Sequence, residues 1–171
     1  SHEVAQVYKD VKEKSAIAKF RVKGTENEYI LAWTTTPWTL PSNVALCVNP
    51  NETYVKVKVA VNAKGDVIKK DAKEEAGIPV KEERYILAEA LLSVIDGEYD
   101  IEETYVGTDL EYKEYEPLFD YAKVDKKAYY VTCDTYVTLS DGTGVVHIAP
   151  AFGEDDSQVG RRYDLPFVQL V

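Results

Sequence analysis

Between residues 53 and 61, valines at 55, 57, 59 and 61 alternate with Lys56, Lys58 and Ala60, the period of two expected of a strand with one buried face. Asn49-Pro50-Asn51 supplies a turn before it. Upstream, the runs 16–23 (AIAKFRVK) and 28–33 (EYILAW) flank a polar stretch from Gly24 to Asn27 and predict a hairpin. From Arg84 to Ile95, Leu87, Leu91 and Val94 recur at helical spacing and Asp96-Gly97 can end the run, which predicts a helix. Short strands are expected near 101–106, 119–124, 127–133 and 144–149, with Gly142-Thr143-Gly144 as a hairpin turn. Glu154, Asp155 and Asp156 precede Arg161 and Arg162 in the charge order that complements a helix dipole, so a short helix is expected over 154–163. Segment 62–84 is charge-rich, carries Gly65, Gly77 and Pro79 and has no sustained period; it reads as a mobile, variable surface insertion without chemistry. The whole predicts an α+β, mainly β chain over residues 1–171: one domain with a mixed sheet or β-barrel core and a few peripheral helices.

Composition narrows the partners. Thirty acidic against twenty basic side chains give a net charge of −10, which argues against broad electrostatic gripping of a nucleic-acid backbone, so any nucleic acid must be met locally. Cys47 and Cys133 sit in apolar runs without CxxC spacing; neither a disulfide framework nor a structural metal is expected, and a reducing cytoplasm fits. No apolar run approaches the roughly 20 residues that cross a bilayer, so no membrane is expected among the partners. The lack of any methionine and the apolar end at 165–171 read as a piece of a longer protein, with Ser1 and His2 as added residues; that leaves His147 as the solvent-facing histidine to consider.

Two segments carry chemistry. Residues 34–43 (TTTPWTLPSN) pack five hydroxyls and one amide into ten positions after a buried-looking strand, and Pro37 and Pro41 stiffen the loop enough to hold hydroxyls in place. The plainer reading is a polar turn satisfying its own backbone. Residues 142–156 (GTGVVHIAPAFGEDD) place His147 on a strand face with Val145 and Ala149, whose small side chains leave space beside the imidazole. His147 also reads as a hydrogen-bonded structural residue, and Asp155 and Asp156 as first-turn helix carboxylates, the reading preferred for Asp155. A Ser42–His147–Asp156 triad is disfavoured because Ser42 lies in Pro-Ser-Asn rather than on a nucleophile elbow. One histidine among scattered carboxylates does not make a metal site.

Taken together, TTTPWTLPSN and GTGVVHIAPAFGEDD resemble the two editing-site motifs of the editing domain inserted in isoleucyl-tRNA synthetase. Thr36 stands where the leucyl and valyl relatives carry Arg, which favours the isoleucyl member. The resemblance extends through Tyr8-Lys9-Asp10, Tyr85 to Leu92 and Pro117-Leu118-Phe119-Asp120. It implies hydrolysis of valine misattached to the isoleucine tRNA, with valyl-adenylate as a further substrate. Discrimination of one methylene by binding alone is worth only ~1–3 kcal/mol, a limit for which this family is itself the standard illustration.

The resemblance assigns catalytic roles to Thr35, Thr36, Thr39, Asn43 and Asp156, and substrate contacts to Thr34, Trp38, His147, Ala149 and Asp156. Asp156 would hold the α-ammonium, and His147 would border the side-chain pocket and oppose isoleucine. The threonines and Asn43 would hold the terminal adenosine, orient water and support the oxyanion. No cofactor is implied. The implied partners are the 3′ end of the aminoacylated isoleucine tRNA and the rest of the synthetase, whose parent activity uses ATP. The rival reading is a binding module that captures aminoacyl-adenosine without turning it over; a freestanding deacylase fits less well.

Overall fold

The computed structural model describes residues 4–5, 15–119 and 124–170. In chain order the strands are β1 (Val4–Ala5), β2 (Ala16–Arg21), β3 (Glu28–Thr34), β4 (Ala45–Val48), β5 (Thr53–Val61), β6 (Val67–Ile68), β7 (Glu74–Glu75), β8 (Ile78–Pro79), β9 (Lys81–Ala88), β10 (Asp100–Val106), β11 (Tyr130–Cys133) and β12 (Val145–Ile148). One α-helix, α1 (Glu154–Tyr163), and short 3-10 segments at Pro37–Ser42, Glu89–Val94, Gly107–Leu110 and Pro150–Phe152 complete the described residues. None of these helices is long and apolar enough to cross a membrane.

The main sheet is mixed, ordered β10-β5-β9-β3-β12-β4-β11, with β2 branching from β3 and β6 from β5. β2 and β3 form the expected hairpin, in register from Ala16 opposite Thr34 to Arg21 opposite Tyr29. The β3–β9, β3–β12 and β4–β11 pairs are parallel. The far edge curls back: Glu114 bridges Tyr130 of β11, and Tyr115 bridges Val22 just beyond β2. The path β3, β12, β4, β11, 114–115, β2 therefore closes into a ring, the barrel core that the many short strands predict. A core cluster including Phe20, Ile30, Leu46, Ile86, Val131 and Val145 is buried against it. β4 reads Ala-Leu-Cys-Val and is buried throughout, as a strand with partners on both edges and cover on both faces must be.

β5 buries Val55, Val57, Val59 and Val61 as their alternation requires, and α1 spans the expected residues. Four readings need correction. The helix expected over 84–95 is instead the second half of β9 followed by the 3-10 segment Glu89–Val94. Tyr85, Ile86, Leu87 and Ala88 are all buried: β9 lies between β5 and β3, with Ile86 and Ala88 in the core cluster on one face and Tyr85 and Leu87 in a second cluster on the other. Burial on both faces removes the alternation that marks a strand, and the Leu87–Leu91–Val94 spacing only mimics a helix. Residues 62–80 form the exposed excursion, with β7 and β8 as a small ribbon, whereas 81–84 open β9. The Gly142–Gly144 segment is a turn but not a hairpin: β12 pairs with β3 and β4, not with β11. Strand structure at 127–133 is confined to Tyr130–Cys133, and Phe119 and Val124 are not in strands; 120–123, like Tyr8-Lys9-Asp10 and His2, lie outside the described residues.

The 142–144 turn fixes where β12 starts. Gly144 has φ +78°, and a Cβ there would lie 2.5 Å from the Ala88 side chain, so only glycine fits. Tyr54 donates its hydroxyl proton to Gly144 O (2.6 Å), Thr143 Oγ1 donates to Leu31 O (2.7 Å), and Ala88 N donates to Thr143 O (2.8 Å). Buried hydrogen bonds of this kind hold the start of the histidine strand against β3, β5 and β9.

Candidate functional site

Three elements meet at one hollow of about 250 Å³: the end of β3 with the Pro37–Ser42 segment, strand β12, and the first turn of α1. Pro37 at the start of the 3-10 segment and Pro41 inside it fix the backbone that carries the hydroxyls. Thr36 N donates to Thr34 Oγ1 (3.0 Å), and the Thr36 and Thr39 hydroxyls lie 3.2 Å apart. The loop is internally bonded, as the plainer sequence reading required, and it also faces the hollow.

His147 is where sequence reasoning needs its fifth correction, since it is only 7% exposed rather than solvent-facing. The Tyr115 hydroxyl donates to Asn43 Oδ1, so the amide nitrogen of Asn43 faces Ala45 O (2.8 Å) and His147 Nδ1 (3.1 Å). With Nδ1 accepting, the imidazole carries its proton on Nε2 and donates to Thr39 Oγ1 at 2.8 Å. Thr39 Oγ1 in turn donates to Thr36 O at 2.8 Å. Burial pulls the His147 pKa down to about 4, so the ring is neutral at neutral pH. Both ring nitrogens are committed to this relay, which leaves the imidazole as a shaped wall rather than a proton carrier.

Asp156 sits at the N-terminal end of α1, where its Oδ2 accepts from Ala149 N at 2.9 Å; Oδ1 has no hydrogen-bond partner among the described residues. Burial raises its pKa above the usual carboxylate value, and the Ala149 amide partly opposes the rise. A half-sealed carboxylate of this kind gains by meeting a cation. Ser42 is fully buried and accepts from Leu170 N at 3.0 Å, so with His147 and Asp156 otherwise engaged no triad forms. Among the described residues no group of three or more His, Cys, Asp or Glu side chains is arranged to hold a metal. Cys47 is buried and Cys133 partly so; both are free thiols, with burial raising their pKa values to about 12 and about 11.

Of the residues singled out from sequence, Thr34, Thr35, Thr36, Thr39, His147 and Asp156 line the hollow. Asn43 stands behind His147, Ala149 is buried and serves through its amide, and Trp38 is 57% exposed away from the lining. Sequence reasoning missed Trp33, Tyr136, Val146, Phe152 and Gly153, and set Asp155 aside as a helix carboxylate although it borders the hollow. Trp33, Val146, Phe152 and Gly153 adjoin or lie within the two motifs and could have been found by extending them; nothing local marks Tyr136.

No family model matches the chain. Over its full length it is 54% identical to the isoleucine–tRNA ligase of Clostridium acetobutylicum and 40% identical to that of Picrophilus torridus, covering 14% and 15% of those proteins. The chain thus spans about one seventh of the length of the curated relatives it matches. Among solved structures it is similar to the editing domain of the P. knowlesi cytosolic leucyl-tRNA synthetase, with TM-score 0.63 and 16% identity over 88% of this chain and 63% of that one. The P. falciparum counterpart gives TM-score 0.56 at 19% identity, over 80% of this chain and 47% of that one. At such identities the structural likeness speaks to the fold.

Proposed function

We propose that the chain is the editing-domain region of an isoleucyl-tRNA synthetase, a reading supported by its 54% identity to a segment of one such enzyme and by its fold, and that its hollow hydrolyses the ester joining valine to the terminal adenosine of the isoleucine tRNA, with valyl-adenylate as a second substrate of the same contacts. The observation that carries this reading is the convergence of four threonines, a neutral histidine and a half-sealed aspartate on one space of about 250 Å³. Asp156 takes the α-ammonium; two unit charges at 4 Å attract by about 4 kcal/mol at an effective dielectric near 20, before desolvation is charged against them. His147 presents its ring to the amino-acid side chain and opposes the extra methylene of isoleucine.

An aminoacyl ester is already activated, so a positioned water and support for the developing oxyanion suffice without a protein nucleophile. Thr35 and Thr36, which line the hollow, supply the hydroxyls that touch water and ester in this reading. Thr39 and Asn43 are positioning residues, since their polar atoms are spent on His147, Tyr115 and the backbone. Exposed Trp38 offers a face on which an acceptor-end base stacks. The rest of the synthetase, in the cytoplasm, supplies the basic surface that a chain of net charge −10 lacks. No cofactor is required.

The test is incubation of the chain with valyl- and isoleucyl-tRNA made on the isoleucine tRNA. Valine is expected to leave faster than the spontaneous rate while isoleucine stays. Spontaneous loss of both, with aminoacyl-adenosine still bound, would replace deacylation by the binding-module reading.

A further inference from the structure

We propose that Tyr136, which neither sequence motif contains, is a substrate-contacting residue of the hollow whose hydroxyl accepts from the same charged nitrogen that Asp156 holds. The inference rests on the deacylation reading above and names a second grip for its substrate. Among the described residues, the Tyr136 hydroxyl is the buried side-chain polar atom without a hydrogen-bond partner. Tyr136 lines the hollow together with Asp155 and Asp156. An orphaned buried hydroxyl forfeits its hydration, and folded proteins keep such groups rare unless something else fills the vacancy.

The segment around Tyr136 is not loose. Asn49 Nδ2 donates to Thr135 O (3.3 Å) and Val137 O (2.9 Å), the carbonyls on either side of it. Tyr136 N donates to Asp134 Oδ1 at 3.1 Å, and Asp134 Oδ2 meets Arg162 Nη1 at 2.8 Å. Arg162 belongs to α1, whose first turn carries Asp156, so one helix braces both residues. The backbone is secured at three points while the hydroxyl is left without a bond, which is the arrangement of a preorganised contact rather than of a slack loop. Burial and the nearby Asp156 and Asp155 carboxylates push the phenol's pKa well up, so it stays protonated and neutral.

Donor counting gives the ligand. An ammonium carries three N–H groups, and Asp156 has already committed Oδ2 to Ala149 N. A neutral oxygen on the same wall satisfies a further N–H without adding charge to a site that already holds Asp155 and Asp156.

The experiment titrates the chain and its Tyr136→Phe variant with a non-hydrolysable valyl-amide of adenosine and with the matching desamino amide, and records both melting temperatures. The expected result is a roughly tenfold loss of affinity for the valyl compound only. The melting temperature should hold or rise, since the hydroxyl removed bonds to nothing. Equal loss for both ligands, no loss for either, or a fall in melting temperature would overturn the inference. Failure of the unsubstituted chain to bind the valyl compound would instead bring down the deacylation reading, and this inference with it.

Discussion

Two of the hollows among the described residues are of nearly equal size. One is the threonine–histidine–aspartate space of about 250 Å³; the other, of about 220 Å³, lies between β5, the start of β9 and the exposed excursion and is lined by Lys58, Lys70, Lys73 and Lys81 with Asp71 and Glu82. The second involves long surface side chains, such as Lys70, which pairs with Asp100 at 3.1 Å with both partners well exposed. Such pairs are worth little and are screened by salt. At the first hollow, side chains from three distant segments are locked in one relay from Tyr115 through Asn43 and His147 to Thr39. Volume therefore does not separate a site from a crevice here; the cost of keeping polar groups buried and ordered does.

Acid should break the wired side alone and by the largest margin. His147 has its folded pKa depressed from 6.5 to about 4, so the unfolded chain binds the extra proton in that window and stability falls as pH drops from 6.5 to 4. The loss attributable to His147 is about 3 kcal/mol, read from urea unfolding at stepped pH against a His147→Gln variant. Asp156, raised by burial, runs the other way and favours the fold as pH falls, which is why the variant comparison is needed.

Asp156→Asn sharpens the contrast chemically. It removes the charge without changing the side-chain shape, and should weaken binding of a valyl-adenosine amide on the order of a hundredfold by calorimetry. Tyr115→Phe strands the buried Asn43 Oδ1 and should cost about 2 kcal/mol, with a shift in the ¹⁵N resonances of His147 reporting the loosened tautomer. His147→Ala should let isoleucyl-tRNA be deacylated about tenfold faster than by the unsubstituted chain, in a filter assay of retained isoleucine. Reversing Lys58, Lys73 and Lys81 to Glu together should change affinity for the same amide by less than about twofold; a larger change would erase the distinction between the hollows.

What could be read from sequence follows the same divide between local and distant causes. The β2–β3 hairpin, the valine alternation of β5 and the charge order of α1 are written in neighbouring residues, and the structure has each of them. β9 mimics a helix in sequence because the side chains that bury it come from β3 and β5, which no window over 84–95 contains. At the hollow, the hydroxyl run, His147 and Asp156 were visible as unusual local chemistry. Tyr136 was not, because its place is set by Asn49, 87 positions earlier (136 − 49), and by Arg162 from the far end of α1. From sequence His147 reads as solvent-facing because the cover over it, Asn43 and Tyr115, arrives from elsewhere in the chain.

The parallel β3–β12 pair has a kinetic consequence. His147 meets Thr39 and Asn43 across separations of 108 and 104 residues, and a parallel pairing cannot be made by a tight turn. Ring closure over such a span is entropically expensive until the long-range contacts repay it, so folding is slow relative to a helical bundle of similar length. During synthesis the threonine loop emerges about a hundred residues ahead of its histidine, and it stays hydrated and without its partner strand until β12 threads between β3 and β4.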